Sequence, residues 1–308
     1  MPPNPSITVL GSLNADMVPY VPHHPHPGET ITTTSLARGP GGKGANQAVA
    51  CARLTDPSAP VTVAMVGAVG NDADGRMLLS SLQESSVETS AVRVCEGFHT
   101  GVAVVIVDES DKQNRIIVSP EANHVLGPGD VQGLRAGLLV VQLEIRLETV
   151  LAAIQTSKAP VLLNAAPAPE PLPQEIYPHI THLIINESEA TTLAPPTNPT
   201  LLATEAGLRQ VTRRFQDWGV ANVVITLGGR GVFYAAAGGE AALVPAEVVD
   251  VVDTTAAGDT FVGAYALAVV QGRGVGEAVR GGNRAAGGAG GRKGAQRSIP
   301  WWREVREG

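Results

Sequence analysis

Short apolar runs, each ending in a small or polar group, recur along this chain. Residues 6–10 lead into Gly11-Ser12-Leu13-Asn14-Ala15-Asp16, and 61–66 lead into Gly67-Ala68-Val69-Gly70-Asn71-Asp72. Residues 138–143 end at Glu144, 161–163 at Asn164 and 183–185 at Asn186. Residues 223–225 end at Thr226, and the β-branched stretch 248–252 (Val248, Val249, Val251, Val252) ends at Asp253. Runs this short and this rich in Val and Ile read as buried strands. Segments 45–54, 75–84 and 203–218 lie between them and read as helices. Alternating strands and helices predict an α/β fold, with a mainly parallel sheet covered on both faces. Such sheets bind ligands beyond the carboxyl ends of their strands. Polar groups gathered at those ends predict a ligand crevice there.

Two segments break the alternation. Residues 17–38 are rich in Pro and His, then in Thr (Thr30, Thr32, Thr33, Thr34). Residues 100–118 carry two β-branched stretches around a polar turn at 108–114 and read as a hairpin. Together they form either a small separate sheet, a lid over the crevice, or an edge extension of the main sheet.

Composition narrows the class. The 308 residues suffice for one large α/β domain or two small ones. An apolar content of 44% argues against disorder, and a net charge of −7 argues against a nucleic-acid surface. No apolar run reaches membrane length. Met1-Pro2-Pro3-Asn4-Pro5 lacks the basic flank and apolar core of a signal peptide. Cys51 and Cys95 read as two reduced thiols, with a bridge between them as the alternative. The expectation is a soluble cytoplasmic protein without membrane or nucleic-acid partners; a nuclear location stays open.

The clearest chemistry lies in Asp253-Thr254-Thr255-Ala256-Ala257-Gly258-Asp259-Thr260-Phe261. This run precedes an apolar segment, 261–270, that reads as a buried helix ending near Gly272. The N–H groups of a first helical turn are unpaired, and with only small side chains around them they can receive an anion. A carboxylate beside a bound phosphate is repelled by it. Asp259 therefore reads as a base that takes the proton of an attacking hydroxyl. The competing reading is a first-turn acid placed for the helix dipole.

Weaker motifs surround it. Gly39-Pro40-Gly41-Gly42-Lys43-Gly44 matches G-x-G-x-x-G only formally, because no buried strand precedes it and no acid follows at the dinucleotide spacing. It is not a Walker A loop either. Its glycines let backbone approach a ligand, and Lys43, Asn46 and Gln47 add donors suited to a polyhydroxylated molecule. Asn14 and Asp16 are a sugar-binding pair or ordinary turn residues. Asn186-Glu187-Ser188-Glu189 is a Mg²⁺ site held through water or a capped helix start. Thr226-Leu227-Gly228-Gly229-Arg230-Gly231 is a nucleotide contact or a plain hairpin turn. Arg292-Lys293-Gly294-Ala295 frames a cation through its carbonyls or is a solvated loop.

In this order the motifs resemble the ribokinase branch of the PfkB carbohydrate kinase family, from about Ile7 to Trp302. The anchors are residues 11–16, GGKGANQA at 41–48, NxxE at 186–189, residues 226–231, DTTAAGDTF at 253–261 and RKGAQ at 292–296. GGKGANQA with RKGAQ favours this branch over adenosine kinases or generic fructokinases. The resemblance implies a single kinase domain over 1–308 with a ribokinase-like three-layer αβα fold. It implies a central sheet of about nine strands and a lid from about 17–38 and 100–118, paired with another subunit's lid in a homodimer. It also implies ATP-dependent phosphorylation of D-ribose at its 5-hydroxyl.

Carried over by motif, Asp259 is the base, and the backbone of Ala256, Ala257 and Gly258 is the anion hole. Asn14, Asp16, Gly42, Lys43, Asn46 and Glu144 hold the sugar. Asn186, Thr226, Leu227, Gly228, Gly229, Arg230, Gly231 and Gly258 contact ATP, and Glu189 acts on Mg²⁺. A K⁺ activator falls to Asp253, Thr255, Ala289, Arg292, Gly294 and Ser298. There are departures. Asn283 replaces a histidine against adenine, Asn164-Ala165-Ala166-Pro167-Ala168 replaces NPAPA, and Arg297 replaces a proline. The Gly-rich stretch 281–291 predicts a marginal helix. The rivals are a related kinase with another sugar or nucleoside acceptor, and a non-catalytic sugar-binding protein of the same fold.

Overall fold

A computed structural model describes residues 5–110, 114–250 and 252–306. Its strands are β1 (Ser6–Leu10), β2 (Asn14–Val21), β3 (Ser35–Gly41), β4 (Thr62–Gly70), β5 (Glu88–Cys95), β6 (Gly101–Asp108) and β7 (Asn114–Ser119). They continue with β8 (Leu138–Val141), β9 (Val161–Asn164), β10 (His182–Asn186), β11 (Asn222–Thr226), β12 (Val232–Ala235) and β13 (Ala241–Val244). The helices are α1 (Lys43–Arg53), α2 (Ala73–Glu84), α3 (Leu147–Thr156), α4 (Glu187–Leu193) and α5 (Pro199–Leu202). The rest are α6 (Glu205–Asp217), α7 (Ala257–Val270), α8 (Val275–Gly290), α9 (Ala295–Ser298) and α10 (Trp302–Arg306).

Nine strands form one sheet in the order β13-β12-β11-β10-β9-β8-β1-β4-β5. Pairing is parallel from β5 across to β11, and β12 and β13 close the edge as antiparallel strands. Alternate residues of the central strands feed two cores, as the period of two requires. Ile7, Val9, Val63, Met65, Leu138 and Val140 pack with α1, α2, α7 and α8 on one face. Leu10, Val66, Leu139, Val141, Leu163 and Ile185 pack with α3 and α6 on the other. The result is the expected three-layer αβα arrangement.

Residues 17–38 and 100–118 stand apart in a four-stranded sheet of order β3-β2-β6-β7. They do not extend the main sheet. Strands β6 and β7 are the expected hairpin, paired from Val102↔Ser119 to Val107↔Asn114, and residues 111–113 of its turn lie outside the described residues. This sheet leaves Leu36, Ile116, Ile117 and Val118 exposed.

One expectation needs correction. The β-branched stretch 248–252 is not a buried strand: 245–250 hold neither helix nor strand, and Val248, Val249 and Val252 are exposed. Val251 lies outside the described residues. The edge of the sheet is already taken by β13, and the amides of Val252 and Asp253 bond instead to Gly290 O at the end of α8 (2.8 and 3.1 Å). Conversely, the Gly-rich stretch, poor in helix propensity, lies in a helix, α8, that runs unbroken from Val275 to Gly290. Close packing offsets poor propensity. A Cβ on Gly282 would lie 2.6 Å from the Phe261 ring of α7, and one on Gly276 would lie 2.6 Å from the Tyr234 hydroxyl.

Both cysteines are free and buried. Among the described residues no helix is long and apolar enough to cross a membrane.

Candidate active site

The Asp259 carboxylate sits at the start of α7, is 8% exposed and is gripped from two sides. Asn46 Nδ2 donates to Oδ2 at 2.9 Å, and Gln47 Nε2 donates to Oδ1 at 3.0 Å. Gln47 is itself fixed by strand-end amides. It also donates to Asn164 Oδ1 (2.9 Å), and its Oε1 accepts from Gln142 Nε2 (2.6 Å). The ends of β8 and β9 thus orient the carboxylate through α1. Asn46 Oδ1 is buried without a protein partner, leaving an acceptor available beside the Asp259 carboxylate.

Around this acid the sequence-predicted sugar residues converge. Glu144 Oε2 accepts from Ser12 Oγ (2.5 Å) and from the Lys43 amide (3.0 Å) at the N-terminus of α1. Asn14 opens β2, and its Oδ1 accepts from Asn123 Nδ2 (2.7 Å). The glycines make room for these groups. A Cβ on Gly41 would meet Asp16 Oδ2 at 2.1 Å, and one on Gly42 would meet Asn14 N at 2.7 Å. Gly42 also holds a φ of 86°, a left-handed conformation that favours glycine.

Electrostatically the crevice holds Asp16, Glu144, Asp259 and Glu189 around the Lys43 ammonium. Burial pushes the Asp16 carboxyl up to about 7, reinforced by Glu144 and Asp259 and opposed by Lys43. Burial works against the Lys43 charge, but Asp259, Glu144, Glu189 and Asp16 outweigh it and raise its affinity for a proton. Burial also raises the Glu189 carboxyl, against hydrogen bonds from Asn186 and the field of Lys43.

At the predicted anion hole, Ala256 adopts φ 60°, a left-handed conformation unusual for alanine, and the helix ladder begins with Thr260 N to Ala256 O (2.8 Å). The Ala257 amide turns back to Thr254 O (3.2 Å). The amides of Gly258 and Asp259 precede the ladder and have no intrahelical acceptor. A Cβ on Gly258 would meet no atom within 4 Å, so the approach is open.

Beside it, the loop before α7 and the loop after α8 are joined. Asp253 accepts from the amides of Thr255 (2.8 Å) and Gly294 (2.9 Å), and Ser298 Oγ lies 3.5 Å from Thr255 O. Burial raises the Asp253 carboxyl, but these donors and Lys293 outweigh it and hold it below its ordinary value. Ala289 O accepts the Arg292 amide (3.0 Å), whereas the Arg292 guanidinium points away to a paired contact with Glu304.

The predicted nucleotide residues cluster at the ends of β10 and β11, where Asn186 and Thr226 are register partners. Asn186 caps α4 in a reciprocal box with Glu189, as the capped-helix reading expects. Arg230 Nη2 reaches Glu187 Oε1 (2.6 Å). Gly231, at φ 98°, lies against Val244, where a Cβ would be 2.0 Å from the carbonyl oxygen. Asn283 approaches the same strand end, donating to Pro245 O (2.9 Å). Its amide is therefore engaged by backbone.

Sequence reasoning missed Asn123, whose side chain locks Leu13 and Asn14 in place, and Gln142. Neither sits in a motif; their only signal is an amide in or next to an apolar segment. A cavity of about 780 Å³ opens elsewhere, beside α7, α8 and α10, and none of the site residues named above lines it.

Comparison with known proteins gives the family. The model of the pfkB family carbohydrate kinases matches residues 4–302. The chain is 40% identical to the ribokinase of Schizosaccharomyces pombe, over 97% of this chain and 96% of that one. It is 37% identical to the ribokinase of Bacillus subtilis, over 98% of each. Among solved structures, Arabidopsis thaliana ribokinase complexed with ribose and ATP superposes with a TM-score of 0.86 at 31% identity, covering 99% of this chain and 98% of that one. The chain belongs to the pfkB family of carbohydrate kinases.

Proposed function

We propose that this kinase transfers the γ-phosphate of ATP to the 5-hydroxyl of D-ribose, giving ribose 5-phosphate. The observation that carries the reading is the Asp259 carboxylate, held by Asn46 and Gln47 at the open start of α7. A pure binding protein has no use for a fixed base beside an anion site. Asp259 takes the proton of the 5-hydroxyl as its oxygen attacks the γ-phosphorus in line. The Gly258 and Asp259 amides, just after the left-handed turn at Ala256, face the charge that develops on the transferring group. Asn14, Asp16, Gly42, Lys43, Asn46 and Glu144 hold the sugar. Residues 226–231, Asn186 and Asn283 frame the nucleotide.

Two ions belong to this reading. Glu189, a buried carboxylate oriented by Asn186, fits Mg²⁺ held through water. When bound, Mg²⁺ neutralises charge on the phosphates. The carbonyls and carboxylate gathered from 253–255 and 289–298 are hard oxygen donors and fit K⁺.

The four-stranded sheet is the lid of a single kinase domain, closing over the sugar to exclude water. Its exposed Ile116, Ile117 and Leu36 support pairing with a second copy in a homodimer. Two free thiols fit a reducing compartment such as the cytoplasm.

The test is ATP consumption by the purified protein with D-ribose, in K⁺ and in Na⁺ buffer, against a panel of pentoses, ketohexoses and nucleosides. Ribose-dependent turnover raised by K⁺ is expected. Turnover confined to another acceptor would move the substrate. Ribose binding without turnover on any acceptor would overturn the enzymatic reading.

A further inference from the structure

The Pro- and His-rich segment of the sequence is not used by the reaction. It forms the turn between β2 and β3, far along those strands from Asp16 and Gly41. We propose that this turn is a binding site for one late first-row transition-metal ion, typified by Zn²⁺, held by His23, His26 and Glu29.

Among the described residues these three form the one group of His, Cys, Asp or Glu whose ligating atoms all lie within 4.8 Å of one another. His23 Nε2 is already 3.0 and 3.2 Å from the two Glu29 oxygens, and the His23 and His26 rings are 5.6 Å apart. Bonds of about 2.0–2.2 Å in a tetrahedral shell place ligand atoms roughly 3.3–3.6 Å apart. The widest gap therefore closes by rotation of exposed or half-buried side chains.

The backbone is arranged for this. In Pro22-His23-His24-Pro25-His26-Pro27-Gly28-Glu29 three prolines restrict the chain, and Gly28 turns it at φ 81°. The Glu29 amide bonds to His26 O (3.0 Å), and the His26 amide bonds back to Glu29 Oε2 (2.9 Å). Ordering a turn that is already closed costs little on binding. His24 leaves the group and ties the turn to β6 through its amide and Asp108 Oδ2 (2.9 Å).

The donor set separates this site from the reaction crevice. Two imidazoles with one carboxylate select Zn²⁺, Cu²⁺ or Ni²⁺ over Mg²⁺, whereas the crevice offers oxygen. A fourth position stays open to water. The bound ion would brace the outer end of the small sheet, replacing the His23–Glu29 hydrogen bond with a three-ligand clasp.

The test is calorimetric titration of the full-chain protein with Zn²⁺ in excess Mg²⁺, with hydrogen exchange followed over residues 22–34. One equivalent should bind, and exchange across the turn should slow. His23→Ala and His26→Ala, both away from the core, should each weaken binding at least about tenfold and abolish the slowing. Absence of Zn²⁺ binding would overturn the proposal. So would binding that survives both substitutions, which would place the metal on the crevice carboxylates.

Discussion

At the scale of single residues, Asp259 and Asp16 are both buried or partly buried acids in one pocket, and their surroundings set them apart. Asp259 has an amide donor on each oxygen, whereas Asp16 faces other carboxylates. Asp259→Asn should leave ribose binding nearly intact and lower turnover by about 10²- to 10⁴-fold, the usual range for loss of a general base. Steady-state kinetics with a parallel ribose titration decide it, and a variant that keeps most of its turnover would remove Asp259 from the role. For Asp16 the sign follows from linkage. Its folded value of about 7 exceeds its ordinary 3.8, so between those limits the folded chain keeps a proton that the unfolded chain loses. Stability therefore falls as pH rises across that window. Asp16→Asn should gain about 1–2 kcal/mol at pH 8 and little at pH 4, solvent at the half-buried group reducing the full shift. Ribose binding should weaken by about tenfold or more. Denaturant unfolding at the two pH values is the check, and equal stability at both would contradict it. The polar residues at strand ends were legible from sequence because each follows an apolar run. Asn123 was not, since a long-range amide contact leaves no local pattern.

Secondary-structure elements show where local pattern fails. Residues 248–252 have the composition of a buried strand, but 248–250 take no place in the sheet, and the amide of Val252 bonds to the end of α8. Strands β5 and β13 are half-exposed edges with weak alternation, so they escaped notice. Helix α8 is the converse case, where contact with α7 overrides propensity. Gly282→Ala adds helix propensity of ~1 kcal/mol but drives a methyl into Phe261, an overpacking cost of about 1–3 kcal/mol, so it should destabilise. Gly281→Ala, where a Cβ meets nothing within 4 Å, should stabilise by about 0.5–1 kcal/mol. Thermal melts of the pair measure the contrast, and a gain in both would mean that the helix contact is loose.

Across the whole molecule, the alternation of strands and helices made the parallel sheet legible, while the separation of the small sheet needed long-range pairing that no local run encodes. The exposed apolar side chains on that sheet carry a prediction about assembly. Ile116→Glu should turn a dimer into a monomer in sedimentation without unfolding it, because the side chain is 58% exposed in the single chain. A monomeric parent at assay concentration would contradict this. One further consequence follows from the way the small sheet is rooted. Asn14 faces Gly41 at the close of β3 and Gly101 at the start of β6, so the floor of the proposed sugar pocket is also the base of the sheet. An acceptor that leaves Asn14 and Asp16 unengaged would leave that base unanchored and the phosphoryl group open to water. Poor acceptors would then betray themselves as leakage, nucleotide hydrolysed with no sugar phosphate formed, and the fidelity of this kinase would be measured by how little it wastes.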